Sequence, residues 1–503
     1  GNANDATFNT TINAKLAEAE NHLKNSHAKA YDLTYGIPPR GPAYEGDEAL
    51  FARTAPYVAF ESATGKNVKP ANFFNNTSYY TIYSTNPQNG YMTTAGDAFY
   101  NSDWIAPILN SWEPSAFYEE MSGGDAAATT LASLYYTAAL DPNVSQFTGY
   151  QHSSMWTLLL YHDKSRSLLN YSSLPKSKYF GNLTSTSGMD TIFARSAWND
   201  NRATNIQIDS SDFLYGHQHK DAGHFNIMKM GDLAIDSGAY VHYNSFNTNC
   251  AGIPTGLNCG AKHALNYYEQ TIAHNTLSVF DPVETFIESG YTIINTGGQY
   301  LPVSDPSYTD YSNNTNPATN SNRTADMKVF EDNGTIMGAK TDLSPAYMSS
   351  KASSGYTNKL NYYYRYYVFI RPNYFIVFDK IKSRDATFPK WSNVHFKGEP
   401  TINGTATVLA GSQSAGITKF SNADTITSTD TNFSNQYSGT SGRLFTKVLL
   451  PANNVIRKIG GGDPYNGSGY RFWVPLNCSK TTLQSGDCAA GEEQELGSNS
   501  SIT

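Results

Sequence analysis

The spacing of apolar residues changes once along this chain, near Met189, from three-and-four intervals to strict alternation. That switch restricts the fold more than any other feature. Before it, INAKLAEAENHLKNSHAKAYDL, ALFARTAPYVAFESATG, DWIAPILNSW and DAAATTLASLYYTAAL repeat apolar residues at helical spacing and are bounded by Gly, Pro or Asn. After it, TIFARSAW, TNIQID, HFNIMKMGDLAID and NTLSVFD are short, β-branched and alternating, the pattern of half-buried strands. NYYYRYYVFIRPNYFIVFDKIK reads as a hairpin turning at Arg371-Pro372-Asn373. Helices first and strands afterwards exclude an alternating α/β sheet and predict an α+β multidomain chain. Beyond about Trp391 the strands become richer in Gly, Ser and Thr, which predicts a second sandwich. The expected division is a helical part over 1–185, a large antiparallel β-sandwich over 186–390 and a smaller one over 391–503. A length of 503 residues suits several domains better than one.

Composition narrows the ligand class. Charged residues are only 16% of the chain, against roughly 25% in an average soluble protein, while aromatics reach 13%. A surface of rings and short neutral polar groups suits sugars, though an extracellular β-protein without a carbohydrate ligand has the same composition. The net charge of −8 excludes nucleic acid, which needs a basic face. An anionic ligand would therefore need a local cluster of Arg, Lys and His. No run approaches the roughly 18 apolar residues of a membrane span, so no membrane partner is expected. The four cysteines fall into two close pairs, Cys250/Cys259 and Cys478/Cys488. That pairing predicts two local disulfides and a secreted or periplasmic location.

The densest chemical signal is Tyr215-Gly216-His217-Gln218-His219-Lys220-Asp221-Ala222-Gly223-His224-Phe225. On a strand, alternation places His217, His219 and Asp221 on one face. Unpaired polar groups inside a fold cost about 1–3 kcal/mol each, so three together call for a ligand. Ala234-Ile235-Asp236-Ser237-Gly238 and Ala273-His274-Asn275-Thr276 supply a further carboxylate and a further imidazole. Two His and one Asp make a zinc shell with one position left for water. Spacing alone leaves ordinary structural histidines equally open.

The strings GHQHKDAGHF, GDLAIDSGAY and YYEQTIAHNTLSVFDP, in that order, closely resemble the central β-sandwich of the heparinase II/III family of polysaccharide lyases. The family pattern is roughly H-x-H-x-D-x-G-x-F, then D-x-G, then A-H-N-T-L, and the likeness runs from about Arg195 to Glu284. The resemblance implies a partial α/α toroid ahead of the sandwich and β-elimination on an anionic, uronic-acid-containing polysaccharide. It further implies one zinc, structural in role, on His219, Asp236 and His274. His217 then matches the sandwich-borne catalytic histidine, and Tyr240 resembles a tyrosine lining the family's cleft. The family's helical part carries a Gly-x-x-Tyr-x-x-x-Arg-like stretch. Here Tyr44-Glu45-Gly46-Asp47-Glu48-Ala49-Leu50-Phe51-Ala52-Arg53 keeps the arginine as Arg53 but puts Ala49 in the tyrosine's place. Either Tyr44 or Tyr57 serves instead, or the tyrosine has been replaced.

The helices before Met189 amount to about half of such a toroid. The resemblance therefore implies a fragment or one chain of a processed enzyme, with a missing N-terminal chain or a homodimer as the protein partner. Two other functions stay open. A non-catalytic carbohydrate-binding relative would keep the zinc-stiffened sandwich, and Ala49 favours it. A glycoside hydrolase on a toroid and sandwich would leave the His/Asp/His set unexplained.

Overall fold

The structure, a computed structural model, describes residues 6–38, 50–85, 114–140, 155–185, 188–200, 202–214, 218–237, 269–284, 286–288, 291–293, 295, 297–300, 322–348, 358–408, 417–430, 441–452, 454–459, 471–475 and 493–498. Helices fill the N-terminal part and antiparallel sheets follow. α1 (Ala6–His22) passes through a π-helical turn, Leu23–His27, into α2 (Ala28–Thr34). α3 (Leu50–Thr64) lies where apolar spacing predicts it, and so does the later Ala126–Leu140 helix. DWIAPILNSW lies outside the described residues.

Three helices have no such sequence signal: α4 (Phe73–Ser84), α5 (Ser115–Met121) and, after α6 (Ala126–Leu140), α7 (Met155–Tyr161). In α4 the cause is plain. From Tyr80 to Ser84 polar and aromatic residues alike are buried, so over its second half no polar face exists to set a period. Its hydroxyls bond back along the helix instead, Ser78 to the Phe74 carbonyl and Thr81 to that of Thr77, both at 2.9 Å. Leu23, Tyr31, Tyr57, Phe73, Phe117 and Tyr118 form the core these helices share. Within the helical part Glu119 is fully buried. It is met by His162 Nδ1 at 2.7 Å and Arg166 at 3.3 Å, which ties α5 to the segment after α7.

β1 (Ser177–Phe180), β2 (Thr191–Arg195), β3 (Asn205–Asp209), β4 (His224–Met228) and β5 (Asp232–Ala234) form one antiparallel sheet in sequential order. β6 (Leu277–Val279) follows, then a small hairpin of β7 (Phe286–Glu288) and β8 (Tyr291–Ile293). A four-stranded sheet contains β9 (Asp326–Asp332), β10 (Ile336–Asp342), β11 (Leu360–Ile370) and β12 (Tyr374–Ser383), in the order β12-β11-β10-β9. Ile370 faces Tyr374 across the turn at 371–373, as the sequence predicts. β13 (Lys390–Ser392) returns to pair with β6. Further on, β14 (Thr401–Ile402), β15 (Thr405–Val408), β16 (Ile417–Ser421), β17 (Thr425–Asp430), β18 (Gly442–Lys447) and β19 (Ile456–Ile459) make two three-stranded sheets, β14-β17-β18 and β15-β16-β19. β20 (Arg471–Pro475) pairs with β21 (Glu493–Ser498).

Ile192, Ile206 and Phe225 of the five-stranded sheet share a core with Met327, Met337 and Phe369 of the four-stranded one. The sequence reading of β2, β3 and β4 as half-buried strands is corrected here, since every residue in them is buried. Helices cover the other face: Phe180, Phe193 and Leu214 pack on Ile37, Tyr80 and Tyr83. Arg195 fixes that junction. Its guanidinium, almost wholly buried, donates to the carbonyls of Tyr83 at 2.7 Å and Thr85 at 3.2 Å, and lies 3.6 Å from the centre of the Trp198 ring. Among the described residues no helix is long and apolar enough to cross a membrane.

Candidate metal centre

The loop ahead of β4 carries the first ligand candidates. His219 and Asp221 lie in this loop and not on a strand, because the chain turns at Asp221–Gly223 before pairing begins. Gly223 has φ +86°, and a Cβ there would press on Leu343. The loop is anchored at several points. Gln299 bonds both Ala222 N (3.0 Å) and Ala222 O (2.8 Å). The Gly223 carbonyl accepts from Arg365 and from the Tyr367 hydroxyl, each at 2.8 Å. Arg365 is itself held on Asp379 by two bonds at 2.7 and 2.8 Å.

The second segment follows β5, where Ile235 N bonds the His395 carbonyl at 3.1 Å and Ser237 N bonds that of Ala273, also at 3.1 Å. Those bonds bring Asp236 against His274, with Oδ1 2.7 Å from Nδ1. His274 follows a 3₁₀ turn, Thr271–Ala273, and precedes β6 by three residues rather than starting it. The ligand atoms of His219, Asp221 and His274 lie within 4.8 Å of one another, and the two imidazole centroids are 5.2 Å apart. His219 and His274 are buried and Asp221 is partly buried.

The electrostatics of this cluster suit a cation. Desolvation raises the Asp221 carboxyl to about 8, with the carboxylates of Asp209 and Asp236 adding to the rise and His219 opposing it. Asp209 is raised to about 7 by burial, despite bonds from Thr191 and Gln207. Two imidazoles beside crowded, desolvated carboxylates form a donor set of the kind zinc takes. On that chemistry the residues fit the metal.

Two more histidines share the neighbourhood without joining the cluster. His224 is fixed neutral: its Nδ1 accepts from Asn275 N at 2.8 Å, its Nε2 lies 2.9 Å from Asn226 Oδ1, and burial lowers it to about 3. His395 is also lowered to about 3, by burial first and by the nearby His274 second. Asn275 organises all of this. Its Nδ2 donates to the carbonyls of Phe225 (2.7 Å) and Ile235 (3.0 Å), and its Oδ1 accepts from His395 N at 2.7 Å. Asn275→Ala orphans three buried backbone groups at about 1–3 kcal/mol each. A loss of at least about 3 kcal/mol is the expected outcome in denaturant melts. Unchanged stability in that variant would contradict the role given to Asn275.

Of the other site residues named from sequence, Arg53 and Tyr57 fall within the described residues. His217, Tyr240, Tyr44, Ala49 and all four cysteines lie outside the described residues. Arg53 is half-buried on α3, close enough to His27 to lower that imidazole's pKa, although desolvation is the larger cause. Tyr57 is fully buried in the helical core. Its hydroxyl is 3.4 Å from the Leu23 carbonyl, and burial pushes its pKa far above the ordinary tyrosine value. Sequence reasoning missed Asn275 and Asp221's place beside the two ligand histidines. Asn275 stood in the AHNTL string, while Asp221 was noticed only for its presumed strand face.

Residues 191–291, which contain His219, Asp221, Asp236 and His274, match the family described as heparinase II/III-like, C-terminal. Solved structures similar to the chain include a heparinase III, the BT4657 gene product, at 13% identity and TM-score 0.41. The heparan sulfate lyase HepC from Pedobacter heparinus is similar at 14% identity and TM-score 0.41. Each alignment covers 91% of this chain and 57% of the other, so the chain spans less than two thirds of their length. No curated protein matches it.

Proposed function

We propose, taking residues 191–291 as a heparinase II/III-like C-terminal domain, that this chain is part of a polysaccharide lyase that cleaves a uronic-acid polymer by β-elimination. The observation that carries the proposal is the His219–Asp221–His274 cluster, its two imidazoles buried, with Asp236 on His274, inside the matched residues. His219, Asp236 and His274 would hold one zinc, with Asp221 as a fourth group at hand. The ion would act as a structural tie between loop segments that share no strand pairing.

The chemistry falls to other groups. Elimination takes the proton from the carbon bearing the carboxylate, and that C–H electron pair becomes the new double bond. The glycosidic oxygen leaves with its bonding pair and takes up a proton. Charge builds on the carboxylate as the proton departs, so a fixed cation must face it. We assign that cation to Arg53 and the sandwich-side acid/base to His217. Among the tyrosines, Tyr57 has its hydroxyl in the core and a raised pKa, which supports Tyr44 or Tyr240 as the partner acid/base. The domain division at 185 and 390, the two disulfides and an extracytoplasmic location complete the proposal.

Incubation with a panel of uronate polymers tests it. The expected product is an unsaturated uronate end, visible by its ultraviolet absorbance. New reducing ends without that absorbance would indicate a hydrolase. Binding without any cleavage would favour the non-catalytic relative that Ala49 suggests. In that case Ala49→Tyr should switch elimination on.

A further inference from the structure

The hairpin of β11 and β12 has two unlike faces. Inward, Tyr363, Arg365, Tyr367 and Phe369 are buried against the five-stranded sheet and the metal-bearing loop. Outward, Tyr362, Tyr364 and Tyr366 stand in file on β11, each half-buried. The outward residues of β12 are Tyr374, Ile376, Phe378, Lys380 and Lys382, all exposed, with Phe378 opposite Tyr366. On the other side of the file, Lys340 of β10 lies opposite Tyr366. Lys380 and Lys382 lie opposite Tyr364 and Tyr362. Lysines therefore flank the tyrosines on both sides.

The lysines are bound up with rings rather than with acids. Lys340 Nζ lies 4.6 Å from the centre of the Tyr364 ring and 5.6 Å from that of Tyr366, while Lys380 Nζ is 5.9 Å from the Tyr362 ring centre. Among the described residues none of the three forms an ion pair. Asp342, Asp326 and Glu331 are the acids on the same face, with Asp342 opposite Tyr364. Asp326 is paired with Arg323 and Lys328, and Asp342 Oδ1 is taken by Ser344, through N at 3.0 Å and Oγ at 2.6 Å. Gly338 sits beside Lys340 with nothing within 4 Å of where its Cβ would be, which leaves a gap at that one position of β10. The β12 side of the face thus carries two lysines and no acid, in a chain of net charge −8. From Tyr362 to Tyr366 the file runs about 14 Å at the usual rise of a strand, room for a few sugar units.

We propose that this outer face is a second carbohydrate-binding surface, which takes an extended uronate-bearing polysaccharide along β11. Tyrosine hydroxyls and ring edges would meet sugar hydroxyls, the exposed Phe378 ring would meet the apolar face of a sugar, and the lysines would meet carboxylates. A second copy of this chain is the competing occupant, but three lysines facing their own copies would repel. The choice of a uronate polymer rests in part on the lyase proposal. The lysine file itself argues for a polyanion independently.

Native gels containing alginate, heparan sulfate or neutral dextran test this, with a polymer-free gel as the mobility reference. The intact chain is expected to be retarded by at least one polyanion, less so at high salt, and not by dextran. Lys340→Ala/Lys380→Ala/Lys382→Ala should weaken that retardation at least fivefold, and Tyr364→Ala should weaken it without a charge change. Removing three exposed lysines elsewhere, Lys15, Lys24 and Lys29, should leave it intact. Turnover of short oligosaccharides should be the same in all variants. Absence of product from every protein, with the gel pattern as expected, would defeat the lyase proposal and leave this surface standing. The surface proposal is overturned if no polyanion retards the intact chain, if the lysine-free face is retarded equally, or if sedimentation shows a dimer that Phe378→Ala dissolves.

Discussion

His219→Ala is expected to lose the bound zinc and to cost about 4 kcal/mol, the linkage contribution of a ligand present at a thousandfold excess over its dissociation constant. Elemental analysis after dialysis reports the metal and denaturant melts report the stability. The loss should exceed that of an ordinary surface histidine because Asp221, Asp236 and His274 converge on the same small volume. Without a cation they would leave crowded carboxylates in a desolvated pocket. The pH dependence of the variant carries a second check. Asp221 is raised to about 8, above its value in an unfolded chain. A group raised on folding adds stability while it keeps its proton and withdraws it as the pH climbs through the raised value. Metal-free protein should therefore lose stability as the pH rises from the ordinary carboxylate range toward about 8. The zinc-loaded form, with its carboxylates neutralised, should not. Asp236→Asn should lose the metal as well. Full zinc retention in His219→Ala would sink the ligand assignment.

His217→Ala should keep its zinc and its melting temperature and lose turnover by about 10²–10⁴-fold, the usual worth of a general acid–base group. A second metal ligand would behave otherwise, losing zinc along with activity. The separation is meaningful because Gln218, the next residue, is held independently of the metal. Gln218 bridges Leu214 N at 2.6 Å and the Asp212 carbonyl at 3.1 Å. A pH–rate profile sharpens the test, since removal of the histidine should abolish one limb of the bell while the other stays. Loss of zinc in His217→Ala, measured on protein that still melts cooperatively, would place this residue with His219 and His274 instead.

What the sequence revealed here followed periodicity and composition. α3 and the β11–β12 hairpin announce themselves because one face differs from the other, and α6 by its wealth of helix-forming Ala and Leu. α4 did not, for burial on all sides of its second half, Tyr80–Ser84, erases the contrast that periodicity needs. The same loss of contrast explains β2, β3 and β4, which are buried on both faces and so read misleadingly as ordinary half-exposed strands. The metal-capable residues were legible as a set, but their geometry was not. His219 and Asp221 were given a strand's alternation, whereas a turn at Gly223 and bonds from Gln299, Arg365 and Tyr367 decide where they lie. Asn275 stood in the AHNTL string with no role attached, because its part is to satisfy backbone groups of segments far away in sequence.

Arg195 bears on where this molecule can be cut. The Tyr83 and Thr85 carbonyls it caps stand at the C-terminal end of α4, where intrahelical partners run out. The helix therefore ends properly only when a strand from the other side of the junction is present. Separating the two parts near residue 185 would strand those carbonyls on one piece and a desolvated guanidinium on the other. Amide hydrogens of α4 and β2 should accordingly exchange through one shared opening, and the earliest protected unit in refolding should straddle the boundary that composition suggests.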